Sequence, residues 1–282
     1  MTFSIAARDG DAWGVAVASK FLAVGSIVPR VGLHGPAVAT QAMARVAYLD
    51  ELEAAVAAGT PVTEALAAAV AGDEGREHRQ VGLVAPDGAA SYTGSECLHW
   101  AGGRSGQDGD TAYAVQGNIL VGPRVVEAME SAWHEGAGLP LDHRLLGVLL
   151  AGDTEGGDAR GRQSAALLVR CPGAGYDGCG VVADLRVDDH DDAPRELARL
   201  HSLSTLFFGT PEDVQPLEGS LRGEVTWLLT ALGHAPVDDD VAGALEAWAG
   251  EANLENRMTP DGVDARVLET LRETAGTSRT AG

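Results

Sequence analysis

The sequence is poor in cysteine and in basic residues, and each shortage excludes a class of protein. The 282 residues include three cysteines, Cys97, Cys171 and Cys179. They are too few and too irregularly spaced for a disulfide framework or a zinc–cysteine site, so we expect free thiols. Lysine and arginine total 20 against 41 aspartates and glutamates, which gives a net charge of −21. Nucleic acids and anionic membranes are not expected partners, because both require clustered cations.

Long apolar runs are also missing. No stretch approaches the roughly 18 apolar residues that span a bilayer. The N-terminus lacks the basic segment followed by an apolar one that is typical of a signal peptide. We therefore expect a cytoplasmic protein with no membrane partner, long enough for one large domain and one small one.

The first 20 residues predict a β-hairpin, because two runs with strand-like alternation flank the turn residues 9–11. Phe3 and Ile5 share one face of the first run. A pairing that matches the larger residues of the two runs places Thr2 opposite Lys20. Directly opposed residues have Cβ atoms about 5 Å apart, so the hairpin predicts an ammonium group beside a threonine hydroxyl.

Thr2 is a candidate nucleophile because removal of Met1 would give it a free α-amine beside its own hydroxyl. Threonine activated by its own N-terminal amine is an established nucleophile design. The reference pKa of such an amine is about 7.7–8.0, and a nearby Lys20 charge would lower it. The alternative is that Thr2 only begins an edge strand.

Hydrophobic periodicity predicts mixed α and β structure over residues 1–209 and helices alone over residues 210–282. After the hairpin we expect strands at 37–42, 79–85, 89–93, 111–116, 163–170 and 181–187, and helices at 44–58, 62–71, 124–134, 141–150, 194–208, 217–232, 241–253 and 263–274. The glycine-rich segment 102–109 is expected to be a loop, and residues 276–282 a frayed tail.

Two amides in the first region are candidate site residues. Gln41 lies in an apolar strand, where it is either a structural amide or a substrate contact. Asn118 follows another strand and could donate its side-chain amide to a developing oxyanion. The alternative for Asn118 is an ordinary turn asparagine.

The loop 156–164 combines glycines with varied polar groups. Its candidate residues are Asp158, Arg160, Gln163 and Ser164. The loop leads into a strand and not a helix, so it is a substrate loop or a polar core loop and not a phosphate loop. Alternatively, an Asp158–Arg160 pair only fixes the loop. The acidic segment 184–190 lacks calcium-loop spacing and the eight histidines show no paired zinc motif, so no metal or cofactor is expected.

Several motifs together resemble a known family. They are Met-Thr-Phe-Ser-Ile at the start, Val-Ala-Val-Ala-Ser-Lys-Phe-Leu-Ala-Val-Gly, Ala-Thr-Gln-Ala, Arg79-Gln80, Thr93-Gly94, Gln116-Gly117-Asn118-Ile119-Leu120, Gly-Asp-x-Arg-Gly-x-Gln-Ser-Ala-Ala and the segment 184–190. In this order they resemble the bacterial domain-of-unknown-function family 1028 over about residues 1–206. That family is similar in fold to the N-terminal-nucleophile hydrolases.

The resemblance implies an α+β fold, a four-layer αββα sandwich with a threonine nucleophile. The site residues it carries over are Thr2, Ser19, Lys20, Gln41, Gln80, Thr93, Asn118, Asp158, Arg160, Gln163 and Ser164. The final 70 residues resemble a peptidoglycan-binding-like domain, on the cues 228–233 and 253–257. A peptidoglycan fragment as ligand, a lid role and oligomer packing are all open for this segment.

The predicted function is hydrolysis of an amide or related acyl bond in a small-molecule or peptide-like substrate through an acyl-enzyme. Thr2 would attack, its amine would move the proton, Lys20 would tune both groups, and Asn118 would hold the oxyanion. A homo-oligomer is expected. The alternative is a non-catalytic small-molecule or muropeptide-binding protein in which Ser4, Gln41 and Arg160 line a pocket. Removal or retention of Met1 separates the two.

Overall fold

The computed structural model describes residues 2–280, with side chains described through residue 276. Met1 and residues 281–282 lie outside the described residues, and so does the expectation that Met1 is removed. The chain divides into two compact units, Met1–His201 and Ser202–Gly282. The predicted boundary lies at residue 209.

The described residues form a mixed α+β unit followed by helices alone. The strands are β1 (Thr2–Asp9), β2 (Ala12–Ser19), β3 (Pro29–Val31), β4 (Ala37–Ala42), β5 (Arg79–Ala85), β6 (Gly88–Thr93), β7 (Trp100–Asp108), β8 (Thr111–Leu120), β9 (Ser164–Arg170) and β10 (Val181–Val187). The helices are α1 (Ala47–Ala57), α2 (Val62–Ala71), α3 (Arg124–Glu135), α4 (Leu141–Thr154), α5 (Ala193–Phe208), α6 (Gly219–Ala231), α7 (Val241–Glu251) and α8 (Ala265–Thr280).

The strands between residues 2 and 187 form two antiparallel sheets. One sheet has the order β10-β9-β2-β1-β8-β7 and the other the order β3-β4-β5-β6. In the first sheet β1 has β2 on one side and β8 on the other. The strand that begins with Thr2 is therefore a central strand, and the alternative of an edge strand does not hold.

Alternating residues of β1 pack into two different apolar clusters. Ala6 lies in a cluster with Ala39 of the four-stranded sheet. Phe3 points the other way, into a cluster with Met129 of α3 and Leu149 of α4. A third cluster joins α1 and α2 to β4 and β5. Since β1 is packed on both faces, its position is fixed along its length.

The hairpin register differs from the predicted one by one residue. Asp9 pairs with Ala12 across a two-residue turn, which is the preferred length for a hairpin connection. Counting back from this turn places Thr2 opposite Ser19. The predicted pairing of Thr2 with Lys20 was wrong, because the turn and not the size of the side chains sets the register.

The glycine-rich segment predicted to be a loop forms most of the edge strand β7. It pairs with β8 in an antiparallel register that is shifted once, between Trp100 and Gly102. A Cβ on Gly103 would lie 2.5 Å from the Ser91 hydroxyl. The prediction was wrong because Gly103 lets the backbone of β7 approach β6 closely, and such an approach is one reason for glycine inside a strand.

The second unit has an apolar core of its own. Leu229, Trp248 and Leu268 pack together from α6, α7 and α8. The completely buried Arg257 donates to Asp264 Oδ2 at 3.2 Å. Residues 276–282 are expected to fray, but the described backbone is helical from 276 to 280. None of the described helices is both long and apolar enough to cross a membrane.

We expect a chain ending at residue 209 to fold cooperatively, because the three clusters that hold both sheets lie within residues 2–201. Urea unfolding followed by tryptophan fluorescence should give one transition, since Trp13 and Trp133 are buried in these clusters. The full-length chain is the control. Aggregation of the shortened chain, or a broad transition, would show that the second unit completes the core of the first.

Candidate active site

Thr2 lies buried where β1 begins, between two neighbouring strands. It pairs with Ser19 of β2 on one side and with Asn118 of β8 on the other. Thr2 is only 6% exposed, and its hydroxyl lies 3.0 Å from the hydroxyl of Ser19. Either oxygen can be the donor in this hydrogen bond. The position where the sequence predicted an ammonium group thus holds a neutral hydroxyl.

Two side-chain amides hold the main-chain carbonyl of Thr2. Gln41 Nε2 donates to it at 3.2 Å from the four-stranded sheet, and Asn118 Nδ2 donates at 3.4 Å from β8. Both side chains are almost completely buried. Because donors from both sheets converge on one carbonyl, the start of the strand is held in place.

Gln80 of β5 connects these two amides. Its Oε1 accepts from Gln41 Nε2 at 2.7 Å and from Asn118 Nδ2 at 3.1 Å. Its Nε2 donates to Thr93 Oγ1 and to the main-chain oxygen of Gly117, both at 2.9 Å. Gln80 has no exposed surface, and a buried amide of this kind is stable only when its donors and acceptor are satisfied. Gln80, which is itself bonded to Thr93, therefore holds Gln41 and Asn118 in position.

Ser4 carries a second branch of this network. Its hydroxyl donates to Gln41 Oε1 at 2.7 Å and accepts from Gln116 Nε2 at 2.7 Å. Gln116 was missing from the predicted site residues, although it lies two positions before Asn118 on a strand and so shares its face. Gln116 Oε1 has no hydrogen-bond partner in the described part of the chain and lies against Gly82, where no Cβ would fit.

Asp158 fixes the chain next to Ser19. Its Oδ2 accepts from the main-chain nitrogen of Lys20 at 2.7 Å, and its Oδ1 accepts from that of Arg160 at 2.9 Å. The half-exposed Arg160 guanidinium lies 3.3 Å from Asp158 Oδ2. The pair therefore fixes its own loop and also anchors the residue that follows Ser19.

Lys20 itself points away from Thr2. Its Nζ donates to the main-chain oxygen of Arg162 at 3.1 Å, and the residue is exposed. The prediction that this ammonium lies beside the Thr2 hydroxyl was wrong, since a shift of one residue moves a side chain to the other face of a strand. Ser19 takes the position next to Thr2.

Two further predicted residues lie outside the hydrogen-bond network of Thr2. The Ser164 hydroxyl accepts from the Val24 nitrogen at 3.1 Å and donates to the Phe21 carbonyl, so it shapes the loop after β2. Gln163 Nε2 donates to Asp189 Oδ1 at 3.0 Å on the surface. Neither side chain contacts the amides that hold Thr2.

The hydrogen-bonding partners of Thr2 among the described residues are all neutral. Ser19, Gln41 and Asn118 offer hydroxyl and amide groups and no general base. Asn118 Nδ2 is directed at the Thr2 carbonyl and at Gln80 Oε1, so it holds the strand rather than presenting a free donor. None of these described partners is a basic group.

Ser19 also lines a small cavity. Its volume is about 90 Å³, and Phe3, Asp158 and Ser164 also line it. A water molecule occupies about 30 Å³ in the liquid, so the cavity has room for a few waters beside the site.

We expect Gln80→Leu to lower the free energy of unfolding by about 2–4 kcal/mol, because it leaves buried amide hydrogens without an acceptor at about 1–3 kcal/mol each. The matched control is Gln163→Leu, which removes a surface amide and should change this energy by less than about 0.5 kcal/mol. Urea denaturation of both variants measures the difference. Equal effects would contradict the central place of Gln80.

Comparison with known proteins agrees with the motifs. Residues 2–197 match the family described as "Family of unknown function (DUF1028)", and residues 206–271 match "Putative peptidoglycan binding domain". A crystal structure of a DUF1028 protein from Silicibacter pomeroyi is similar at 28% identity and a TM-score of 0.62, over 79% of this chain and 92% of that one. No curated protein matches. The chain therefore belongs to the DUF1028 family and carries a second matched domain after it.

Proposed function

We propose that this chain is an amidohydrolase of the N-terminal-nucleophile type, with Thr2 as its nucleophile. The observation that carries the proposal is the buried Thr2 hydroxyl beside Ser19, on a central strand whose first carbonyl is held by two amides. The scaffold is the αββα sandwich. In support, one apolar cluster joins the two sheets, a second joins the six-stranded sheet to α3, α4 and the start of α5, and a third joins the four-stranded sheet to α1 and α2.

The base in this proposal is the α-amine of Thr2, set free when the peptide bond before Thr2 is cleaved. The described hydrogen-bonding partners of Thr2 support this assignment, because they are hydroxyl and amide groups and none of them is basic. A terminal amine has a reference pKa of about 7.7–8.0, so a useful fraction is neutral near pH 7.5. The amine and the hydroxyl belong to one residue, which keeps them within reach of each other.

The reaction follows in two stages. In the first, Thr2 Oγ1 attacks the substrate carbonyl carbon while the amine takes the hydroxyl proton. Ser19 donates a hydrogen bond to the negative charge that develops on Thr2 Oγ1, and this role replaces the one predicted for Lys20. The carbon–nitrogen bond then breaks, the amine protonates the leaving nitrogen, and an acyl ester remains on Thr2. In the second stage water, activated by the same amine, hydrolyses the ester.

Gln41, Gln80 and Asn118 are positioning residues in this mechanism. They hold the Thr2 carbonyl and one another, so the attacking oxygen has a fixed place before substrate binds. Reaction rates are sensitive to such placement, because a displacement of about 1 Å can cost about 10²-fold.

The substrate that we propose is a small or peptide-like amide. The half-exposed Arg160 guanidinium is paired with Asp158 at 3.3 Å, so we assign the substrate an amide bond and no charge. The match of residues 206–271 to a peptidoglycan-binding description adds peptidoglycan fragments to the amides to be tested.

Non-catalytic binding of the same ligands is the competing function. In that function Ser4 and Gln41 would line an open pocket. Both are almost completely buried, and they hydrogen-bond to each other at 2.7 Å. Side chains committed in this way do not line an open pocket, so they count against the binding function.

We expect Ser19→Ala to lower kcat for a hydrolysed amide by about 10²-fold, the usual loss for one well-placed donor. Lys20→Met is the matched control from the neighbouring position and should leave kcat unchanged, because its ammonium binds the Arg162 carbonyl at the surface. Thr2→Ala should abolish turnover.

The measurement is a screen of N-acyl amino acids, dipeptides and peptidoglycan fragments, followed by kinetics on any substrate that is cleaved. Loss of activity in Lys20→Met together with full activity in Ser19→Ala would assign the stabilisation of Thr2 Oγ1 to Lys20 and not to Ser19. Turnover by Thr2→Ala would show that Thr2 is not the nucleophile and would overturn the proposed reaction.

A further inference from the structure

Three side chains that can bind a metal meet in the first unit, on elements that take no part in holding Thr2. Asp142 and His143 lie in the first turn of α4, and His201 lies in α5. His201 Nε2 is 2.7 Å from Asp142 Oδ2, and His143 Nδ1 is 3.3 Å from the same oxygen. One potential ligand atom from each residue lies within 4.8 Å of the others.

We propose that Asp142, His143 and His201 form a zinc-binding site. Zinc–ligand bonds of about 2.0–2.2 Å in a tetrahedron place neighbouring ligand atoms roughly 3.4 Å apart. The 3.3 Å separation meets this requirement, and the 2.7 Å separation needs to open by only a fraction of an ångström. Two imidazoles and one carboxylate are a known zinc donor set, whereas magnesium and calcium prefer oxygen alone.

The third ligand distinguishes this cluster from ordinary surface pairs. His78 with Glu96 and His234 with Glu251 are also histidine–carboxylate pairs, at 2.8 and 3.4 Å. Among the described residues, neither of these pairs belongs to a group of three potential ligands. In the cluster, the rings of His143 and His201 meet edge to face with centroids 4.5 Å apart, which brings two imidazoles to one carboxylate.

The burial of the ligands also suits a metal site. His201 is 6% exposed in its side chain and Asp142 is 13% exposed, so both are held by their surroundings. His143 is 46% exposed and leaves one side of the site open. Three protein ligands with an open fourth position is the arrangement of zinc sites that take water or another exchangeable ligand.

The site lies at the far end of the six-stranded sheet from Thr2. Asp142 lines a cavity of about 850 Å³, and so does Asp9, the last residue of β1. Thr2 and Asp9 are the two ends of the eight-residue strand β1, so they lie roughly 24 Å apart. Arg144 also lines this cavity and stacks on Trp133, with its Cζ 3.4 Å from the ring centroid. The Arg144 guanidinium is paired with Asp9 Oδ2 at 2.8 Å, so we assign the open zinc position to water or another exchangeable ligand.

The test is binding of Zn²⁺ and Co²⁺ by the full-length chain without an affinity tag. We expect one Zn²⁺ per chain by calorimetry. His143→Ala should weaken binding by at least about 100-fold, since even the loss of a second-shell partner costs about 10–100-fold. His143 is exposed, so this variant should keep the melting temperature of the wild type in the presence of a chelator.

Three controls separate this proposal from other outcomes. His78→Ala removes a histidine from a pair without a third ligand and should bind zinc like the wild type. Thr2→Ala should also bind zinc normally, which makes the proposal independent of the proposed hydrolase function. The Co²⁺ complex should show visible bands of a low-symmetry site without thiolate charge transfer. Failure of the wild type to bind, equal affinity in His143→Ala, or thiolate bands from cysteine ligation would each overturn the proposal.

Discussion

The buried amide network between the two sheets is the interaction on which the Thr2 site depends. Gln41 and Gln80 reach it from the four-stranded sheet, and Gln116 and Asn118 from the six-stranded one. A neutral amide carries both donors and an acceptor, so amides can satisfy one another without a counter-ion. A buried carboxylate or ammonium in this place would require a partner of opposite charge. The network therefore joins the sheets by hydrogen bonds beside an apolar interface that is mostly alanine and valine, together with Trp13.

This constraint connects the architecture to the proposed chemistry. Because the network ends on the Thr2 carbonyl, the position of Thr2 depends on both sheets and not on the hairpin alone. The Thr2 hydroxyl is hydrogen-bonded to the Ser19 hydroxyl. A nucleophile held in this way loses little freedom when substrate binds, which is the general advantage of a preorganised site.

The sequence predicted the family, the mixed α+β unit and most of the strands and helices, because periodicity and ordered motifs are local signals. It did not predict the hairpin register, since turn geometry set the register and side-chain size did not. It did not predict β7, where Gly103 lets the backbone approach β6 closely. Nothing local connects His143 with His201, which lie far apart in the chain and meet only through the packing of α4 and α5. Such contacts depend on the tertiary fold and have no spacing rule.

We propose that Thr2, once its α-amine is free, is the nucleophile. The most direct measurement is covalent labelling by a β-lactone, carried out on a chain with a protease-cleavable extension placed directly before Thr2. Attack by Thr2 Oγ1 opens the lactone and adds its full mass to the protein. We expect no labelling before cleavage and, after cleavage, one adduct that tandem mass spectrometry locates on Thr2. Labelling of the uncleaved chain, or an adduct on another residue with Thr2 unmodified, would contradict it.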